Sequence, residues 1–246
     1  MSEHSAERLN EFEPLKGGQV YEEAKHFASR MVAAMDAEDR RTHWQRTYTA
    51  KGEREVSWFQ DSPQPSLDLI TQAAASPEAA IVDLGGGASC LADALLERGF
   101  QNITVVDLSE AALTAAKARM GEAAGRICWI AADVTTWEPP QTYDVWHDRA
   151  TFHFLTTADQ IARYLSLAQA AIRPNGYLTI GTFSTAGPTK CSGLEVHQYD
   201  EQELAATLAR GFTKIRCRTE DHVTPFETTQ NFLFCSFRRL VSRLAA

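Results

Sequence analysis

The sequence predicts an α/β fold in which helices cover both faces of a mostly parallel sheet. Two observations support this prediction: short apolar runs of strand length alternate with segments of helical periodicity, and polar turns separate them. The predicted strands are 79–84, 103–107, 127–131, 143–147 and 177–182, and the predicted helices are 66–75, 89–98, 110–118 and 158–172. Parallel strands need crossover helices, so the order of elements itself indicates the fold class.

The last part of the chain departs from this alternation. Lys214–Cys217 and Asn231–Phe237 alternate between polar and apolar residues, and no long helix separates them. Such a pair is typical of antiparallel strands at the edge of a sheet. The complete prediction is a Rossmann-like sheet of seven strands, mostly parallel, that ends in an antiparallel C-terminal hairpin.

The N-terminal residues 1–65 are predicted to form a polar tail and a helical cap, with the sheet domain in residues 66–246. Apolar residues recur at helical spacing over 20–41, which predicts an amphipathic helix. Two interpretations of this helix stay open, because it suits both a lid over a pocket and the surface of a homodimer. The next segment, 42–65, carries four large aromatic residues among polar ones: Trp44, Tyr48, Trp58 and Phe59.

The charge balance excludes some classes of partner. The chain has 24 Lys and Arg against 32 Asp and Glu, a formal net charge of −8. Neutralising phosphates requires clustered basic residues, so we expect no binding to nucleic acid or to an anionic membrane surface. The sequence contains no apolar run long enough to cross a membrane.

The five cysteines indicate the expected compartment. They are odd in number and scattered, and none forms a C-x-x-C pair. We therefore expect neither a disulfide framework nor a metal site. We also expect the protein to reside in a reducing compartment. The polar, acidic N-terminus resembles neither a signal peptide nor a transit peptide. Together these features predict a cytoplasmic protein.

A glycine-rich turn follows the first predicted strand of the sheet domain, in Asp83-Leu84-Gly85-Gly86-Gly87. Glycines at this place let backbone amides approach a ligand near a helix N-terminus. The dinucleotide fingerprint G-x-G-x-x-G would need a third glycine where this chain has Cys90. An acid two residues before the first glycine would repel a pyrophosphate, but it suits a ligand that carries ammonium and sulfonium groups.

Acidic residues stand at the ends of three successive predicted strands: Asp83, Asp107 and Asp133. In an open α/β sheet, ligands bind outside the carboxyl ends of the strands, so these acids should share one crevice. The Asp107 carboxylate can accept both hydroxyls of a ribose. Asp133 can accept from an adenine amino group while Val134 packs on the ring. Each acid alone could equally be an ordinary turn residue.

The sequence resembles the class I S-adenosylmethionine-dependent methyltransferases over roughly residues 66–240. The segments IVDLGGGAS, TVVDLS, IAADVTTW, YDVWHDRATFHFL and RPNGYLTIGTF occur in the order expected for that family. The resemblance implies S-adenosylmethionine as cofactor. It places the methionine portion against Asp83, Gly85 and Gly87, the ribose against Asp107, and the adenine against Asp133 and Val134. The other predicted cofactor contacts are Gly86, Leu108, His147 and Trp58, the last as a cation–π partner of the sulfonium.

The segment 146–154 supplies the catalytic candidates Asp148, Arg149 and His153, because it leaves the strand end where the methyl group should lie. It is similar to the D-R-G-A segment of thiopurine methyltransferases and to the D-K-G-T segment of some protein-lysine methyltransferases, although Ala150 replaces the glycine. Asp148 or a nearby histidine is the candidate base or orienter. In the alternative interpretation, Asp148 and Arg149 form a structural ion pair and His153 is a packed histidine.

The resulting hypothesis is a methyltransferase that acts on a nitrogen, oxygen or sulfur atom of a small-molecule acceptor. One alternative is a protein methyltransferase acting on a lysine or a terminal amine. A second is a protein that binds S-adenosylmethionine without catalysis. A nicotinamide oxidoreductase is disfavoured, because Cys90 interrupts the dinucleotide fingerprint.

Overall fold

The computed structural model describes residues 39–240. A seven-stranded sheet has the order β3-β2-β1-β4-β5-β9-β8, in which β9 and β8 are antiparallel to their neighbours and the other strands are parallel. This arrangement confirms the predicted fold class. The sheet strands are β1 (Ala80–Leu84), β2 (Asn102–Asp107), β3 (Ile127–Ala131), β4 (Tyr143–Arg149), β5 (Ile172–Phe183), β8 (Phe212–Val223) and β9 (Thr229–Arg239). Two short strands, β6 (Lys190–Cys191) and β7 (Leu194–Glu195), pair separately.

Helices begin at residues that suit helix starts. Ser109 accepts a hydrogen bond from the Ala112 amide, Thr157 forms a capping box with Gln160, and Asp200 accepts from the Glu203 amide. The helices are α1 (residues 39–50), α2 (Gln64–Ala73), α3 (Leu91–Glu97), α4 (Glu110–Met120), α5 (Ala158–Ala171) and α6 (Glu201–Leu208). Among the described residues, no helix is long and apolar enough to span a membrane.

The sheet has two buried faces that pack on different helices. On the α5 face, strand residues such as Leu84 and Trp146 pack with Tyr164 of α5. On the α2 face, Ile81 and Val145 pack with residues of α2 and α3. Because side chains alternate along a strand, successive residues of β4 point to opposite faces. Each face is a separate apolar cluster, and the end of β4 carries polar side chains on both.

The register of β1 and β4 brings the predicted site residues together. In this parallel pair Asp83 lies beside His147, and Leu84 lies beside Asp148. Asp83 and His147 therefore share the α2 face, where Arg149 also lies two residues further along β4. Asp148 lies on the α5 face. The sequence placed these residues at one strand end but did not separate them by face.

One disulfide departs from the expectation of a chain without a disulfide framework. Cys217 and Cys235 face each other in the β8–β9 pair and form a disulfide. Antiparallel pairing brings directly opposed residues close enough to be bridged, although they are 18 positions apart in the sequence. Cys90, Cys128 and Cys191 are free.

The N-terminal part departs from the prediction where it can be compared. The predicted tail and most of the predicted helix 20–41 lie outside the described residues, and so does the choice between a lid and a dimer surface. Residues 39–50 are helical, whereas the predicted helix ended at residue 41. The compact unit that contains the sheet begins at Arg41. The domain boundary at residue 65 stays a prediction.

Candidate functional site

A pocket lies at the carboxyl ends of β1 and β4 on the α2 face. Of the predicted site residues it brings together Trp58, Asp83, Gly85, Gly86, His147 and Arg149. Tyr48 of α1 and Glu53 also line it, so the segment before α2 forms part of its wall. The remaining predicted residues do not line this pocket: Gly87, Asp107, Leu108, Asp133, Val134, Asp148 and His153.

The glycine turn after β1 leaves no room for side chains. A Cβ atom at Gly86 would overlap the Asp83 carboxylate and lie 2.9 Å from the side chain of Val105. Gly85 and Gly87 both have positive φ values, which favour glycine. The turn is tied to the sheet because the Gly85 amide donates to the Val106 carbonyl at 2.7 Å. The loop therefore presents backbone to the pocket.

Asp83 is a buried acid in this wall, with 3% of its surface exposed. Burial raises the pKa of Asp83 well above its usual range, and the neighbouring carboxylates of Asp148 and Asp107 raise it further. The Arg149 guanidinium acts in the opposite direction. A buried carboxyl of this kind is stabilised in its charged form by a cationic ligand.

Asp107 lies beside the pocket and organises the loop that follows β2. Its Oδ1 accepts from the Ser109 amide at 2.7 Å. Burial raises the pKa of Asp107 to about 6, although hydrogen bonds from the Ser109 and Gly87 amides oppose the shift. The side chain of Gln45, on α1, reaches the same loop: its Oε1 accepts from Ser109 Oγ and from the Ala111 amide, both at 3.2 Å.

Asp133 stabilises its own turn after β3. Its Oδ1 accepts from the Thr135 amide at 2.7 Å and from Thr135 Oγ1 at 2.6 Å. Val134 belongs to the core of the α5 face, and Leu108, after β2, is half-buried. Asp133 therefore acts as a turn residue, which is one of the two interpretations of the sequence. Its contact with an adenine stays a prediction.

His147 is fully buried in the pocket wall. Its Nδ1 lies 2.9 Å from Thr179 Oγ1 on β5, and its Nε2 has no hydrogen-bond partner among residues 39–240. Burial, reinforced by the positive charge of Arg149, lowers the pKa of His147 to about 3. The imidazole is therefore neutral at physiological pH.

Arg149 projects from the end of β4 on the same face. Its Nη1 donates to the Trp58 carbonyl at 2.9 Å, and the guanidinium lies over the Phe232 ring with its carbon 5.0 Å from the ring centroid. In the described part of the chain, Nε and Nη2 are buried without a hydrogen-bond partner. Burial lowers the pKa of Arg149 to about 10, while the carboxylate of Asp83 opposes the shift.

Asp148 is enclosed on the opposite face of the sheet. Its carboxylate accepts from the amides of Thr151 and Phe152 at 3.2 and 3.0 Å, and from the Tyr164 hydroxyl at 2.9 Å. Burial raises the pKa of Asp148 to about 6 against these hydrogen bonds. Since successive strand residues point to opposite faces, the geometry does not favour an ion pair between Asp148 and Arg149. Catalysis by Asp148 stays a prediction, which its enclosure disfavours.

His153 is also fully buried, between the rings of Phe154 and Phe183. Its Nδ1 accepts from the Phe183 amide at 3.3 Å. Burial lowers the pKa of His153 to about 3, so the ring stays neutral. These contacts match the packed histidine of the alternative interpretation more closely than a base, and the catalytic role stays a prediction.

The cap over the pocket is built by aromatic residues of α1 and the following segment. Trp58 Nε1 donates to the Tyr48 hydroxyl at 3.1 Å, and the Trp44 ring contacts the rings of both Trp58 and Phe154. The sequence singled out Trp44, Tyr48 and Trp58 as a cluster. It gave no signal for Gln45, Thr179 or Phe232, because their importance depends on contacts between distant parts of the chain.

Comparison with known proteins agrees with the fold. Residues 81–176 match a family described as a methyltransferase domain. No curated protein matches the chain. The fold is similar to a 1,6-didemethyltoxoflavin-N1-methyltransferase of Burkholderia thailandensis, at 24% identity and a TM-score of 0.58 over 93% of each chain.

Two further structures share the fold at lower identity. The N-methyltransferase NodS of Bradyrhizobium japonicum, in complex with S-adenosylhomocysteine, is 17% identical over 79% of this chain and 97% of that one, with a TM-score of 0.57. A SAM-dependent methyltransferase of Methanosarcina mazei is 15% identical over 70% and 98%, with a TM-score of 0.59. Residues 81–176 thus match a methyltransferase domain, and the chain has the fold that these S-adenosylmethionine-dependent methyltransferases share.

Proposed function

We propose that this protein transfers a methyl group from S-adenosylmethionine to a nitrogen, oxygen or sulfur atom of a small-molecule acceptor. The observation that carries the proposal is the capped pocket, in which Asp83 and Arg149 lie beneath Tyr48 and Trp58. A capped site suits a small acceptor, whereas a protein substrate would need an open groove. The Burkholderia neighbour, which holds the small molecule 1,6-didemethyltoxoflavin, supports the same class of acceptor.

The residues of the pocket fit the cofactor. The turn around Gly86 has no space for a Cβ atom, so backbone can approach a ligand closely, and the buried Asp83 suits a cationic group. We assign the methionine portion to Asp83, Gly85, Gly86 and Gly87, the ribose to Asp107 and Leu108, and the adenine to Asp133 and Val134. His147 and Trp58 then lie near the reacting centre, where the Trp58 ring can stabilise a positive charge.

Methyl transfer is a displacement, and the cofactor supplies a methyl carbon activated by its sulfonium. The acceptor heteroatom would take this carbon while Asp83 and the glycine turn hold the charged end of the donor, and the electron pair of the broken carbon–sulfur bond would stay on sulfur. A neutral amine acceptor would lose its proton to solvent after the transfer, whereas a hydroxyl or thiol would have to enter the site as its anion. His147, whose pKa is about 3, is a weak base. We therefore assign most of the rate to alignment and to exclusion of water by the cap.

Roles for the catalytic candidates follow from their positions. Arg149 lines the pocket and is assigned to the acceptor. Asp148 and His153 lie outside the lining and are assigned as positioning residues, because each holds backbone amides next to the end of β4 or β5. Arg149 thus contacts the acceptor directly, whereas Asp148 and His153 act by holding the backbone in place.

The cofactor site is tested by calorimetric titration with S-adenosylhomocysteine. We expect Gly86→Ala to weaken binding by at least about tenfold, because the added methyl group displaces the Asp83 carboxylate. Gly125→Ala is the matched control, since nothing lies within 4 Å of a Cβ atom there. If folded wild-type protein binds neither S-adenosylhomocysteine nor S-adenosylmethionine, the proposed function is wrong.

The acceptor class is tested with a donor carrying a deuterated methyl group. Purified protein is incubated with this donor and a cell extract, and the products are separated into small molecules and protein before mass spectrometry. The proposal expects the label among the small molecules, and loss of that label with Gly86→Ala. Label confined to protein would favour the protein-methyltransferase alternative.

A further inference from the structure

One edge of the Arg149 guanidinium is buried without a partner. Nη1 is used by the Trp58 carbonyl, whereas Nε and Nη2 have no hydrogen-bond partner among the described residues. Buried polar groups are almost always satisfied, and charged groups most strictly so. Nε and Nη2 form the edge of the guanidinium that binds a carboxylate side-on through two parallel hydrogen bonds. The chain thus contains half of a bidentate pair.

Aromatic side chains lie near the Arg149 guanidinium and in the wall of the pocket. The guanidinium lies over Phe232, whose ring contacts Phe183 and Phe234, and Trp58 packs against the same apolar cluster. Flat rings on several sides favour a flat, apolar ligand body. The pocket itself is lined by Tyr48, Trp58 and Phe59, so it combines an arginine edge that can bind two oxygens with walls that suit an aromatic ring.

The local charges indicate that the missing partner is an anion distinct from the protein's own acids. Asp83 is the carboxylate that raises the pKa of Arg149 most, but among residues 39–240 no ion pair joins the two. The cofactor brings an ammonium and a sulfonium, for which Asp83 is the suited counter-charge. Arg149 would then require a separate negative group.

We propose that Arg149 holds a carboxylate of the methyl acceptor side-on through Nε and Nη2, and that the acceptor is an aromatic or heteroaromatic acid. This inference rests on the proposed function and specifies its substrate class. The carboxylate anchors the molecule, and a different heteroatom on its ring receives the methyl group. The methionine carboxylate of the cofactor has the same chemistry, so the experiment separates the two sources.

The test uses protein saturated with S-adenosylhomocysteine and matched pairs of probes. Benzoate, salicylate, anthranilate and 2-mercaptobenzoate are titrated against the corresponding carboxamides. We expect at least one carboxylate to bind about tenfold or more tightly than its carboxamide, which is the strength of a charge-assisted bidentate pair. Equal binding within every pair, or no binding of any carboxylate at millimolar concentration, would overturn the inference.

Variants then assign the preference to Arg149. Arg149→Met should abolish the preference for carboxylates and leave S-adenosylhomocysteine binding within about threefold of wild type. Arg149→Lys should keep part of the preference for carboxylates, because lysine keeps the positive charge but lacks two parallel N–H donors. Arg218→Met is the control, since Arg218 pairs with Asp68 and Glu220 outside the pocket.

Three outcomes distinguish the proposals. Loss of S-adenosylhomocysteine binding in Arg149→Met and Arg149→Lys would assign this edge of the guanidinium to the methionine carboxylate and overturn the inference alone. Failure of the wild type to bind S-adenosylhomocysteine would instead overturn the proposed function. If Arg149→Met does not fold, the probe preference of the wild type and the partial retention in Arg149→Lys still decide the matter.

Discussion

Neighbouring polar residues on the two faces of β4 have opposite environments. On the α5 face, Asp148 accepts three hydrogen bonds, and Tyr164, which supplies one of them, accepts in turn from Trp146 Nε1 at 3.1 Å. On the α2 face, His147 Nε2 and two nitrogens of Arg149 have no partner among the described residues. The hydrogen-bonded Asp148 on the α5 face stabilises the fold. The unpartnered nitrogens of His147 and Arg149 on the α2 face suit contact with a ligand.

The strongest way to test this contrast is to remove the satisfied acid. Asp148→Ala leaves two amides and a tyrosine hydroxyl without their acceptor, so we expect the free energy of unfolding to fall by about 3 kcal/mol. Urea denaturation measures the change. Asp148→Asn keeps one acceptor oxygen and should lose less. A loss under about 1 kcal/mol for Asp148→Ala would contradict the structural role.

Arg149 and Arg119 form a matched pair of arginines for the second test. Arg119 donates to Glu53, Asp93 and the carbonyls of Ala88 and Ser89, so Arg119→Met should cost about 2 kcal/mol of unfolding free energy. Arg149→Met removes a buried guanidinium whose Nε and Nη2 have no partner among the described residues, and puts an apolar side chain of similar length in its place. The unfolding free energy of this variant should therefore stay within about 1 kcal/mol of wild type. Similar losses of unfolding free energy in both variants would show that Arg149 stabilises the fold as much as the fully paired Arg119 does.

Acid stability provides the third test, through His147. Burial lowers its pKa to about 3 in the folded chain, against an ordinary value of 6.5. Between these values the unfolded state binds the extra proton, so this histidine makes the protein less stable as the pH falls below 6.5. His147→Gln removes the effect. Relative to wild type, the variant should gain about 1 kcal/mol between pH 6 and pH 5 in chemical denaturation. A difference independent of pH would show that His147 is not buried as a neutral ring.

The smallest expected effect concerns Gln45 of the cap. Gln45→Ala removes the acceptor for Ser109 Oγ and the Ala111 amide on an exposed side chain, and should cost only about 0.5–1 kcal/mol. Stopped-flow measurement should show a several-fold faster dissociation of S-adenosylhomocysteine. Gln141→Ala, whose side chain bonds Asn102 at the other end of the sheet, is the control. An unchanged dissociation rate would argue against a role of Gln45 in retaining the ligand.

The parallel core of the fold could be predicted from sequence because each strand carries its own apolar pattern. The face on which a polar residue lies requires the exact strand register, and this is why Asp148 and Arg149 were grouped as one catalytic segment. The disulfide had an unused signal: Cys217 and Cys235 are equally distant from Phe226, at the centre of the β8–β9 turn. The spacing of the cysteines predicts the disulfide only once the residue at the centre of the β8–β9 turn is known.

The unpartnered edge of Arg149 had no such signal. Nothing in the run from Trp146 to Phe154 distinguishes an arginine that is fully paired from one that is not. The difference depends on Trp58, 91 residues away, and on Phe232, which comes from the far end of the chain. Predicting it would require the packing of three separate segments at once.

The cap is attached to the sheet domain through α4 at two points. Gln45 contacts the start of this helix, and Glu53 pairs with Arg119 near its end. Asp107, the acid assigned to the ribose, stands directly before the same helix. We therefore expect opening of the cap and departure of the nucleoside to be coupled through this one helix. An enzyme built in this way should release its spent cofactor slowly, so that turnover is limited by the exit of product and a first round of catalysis appears as a burst.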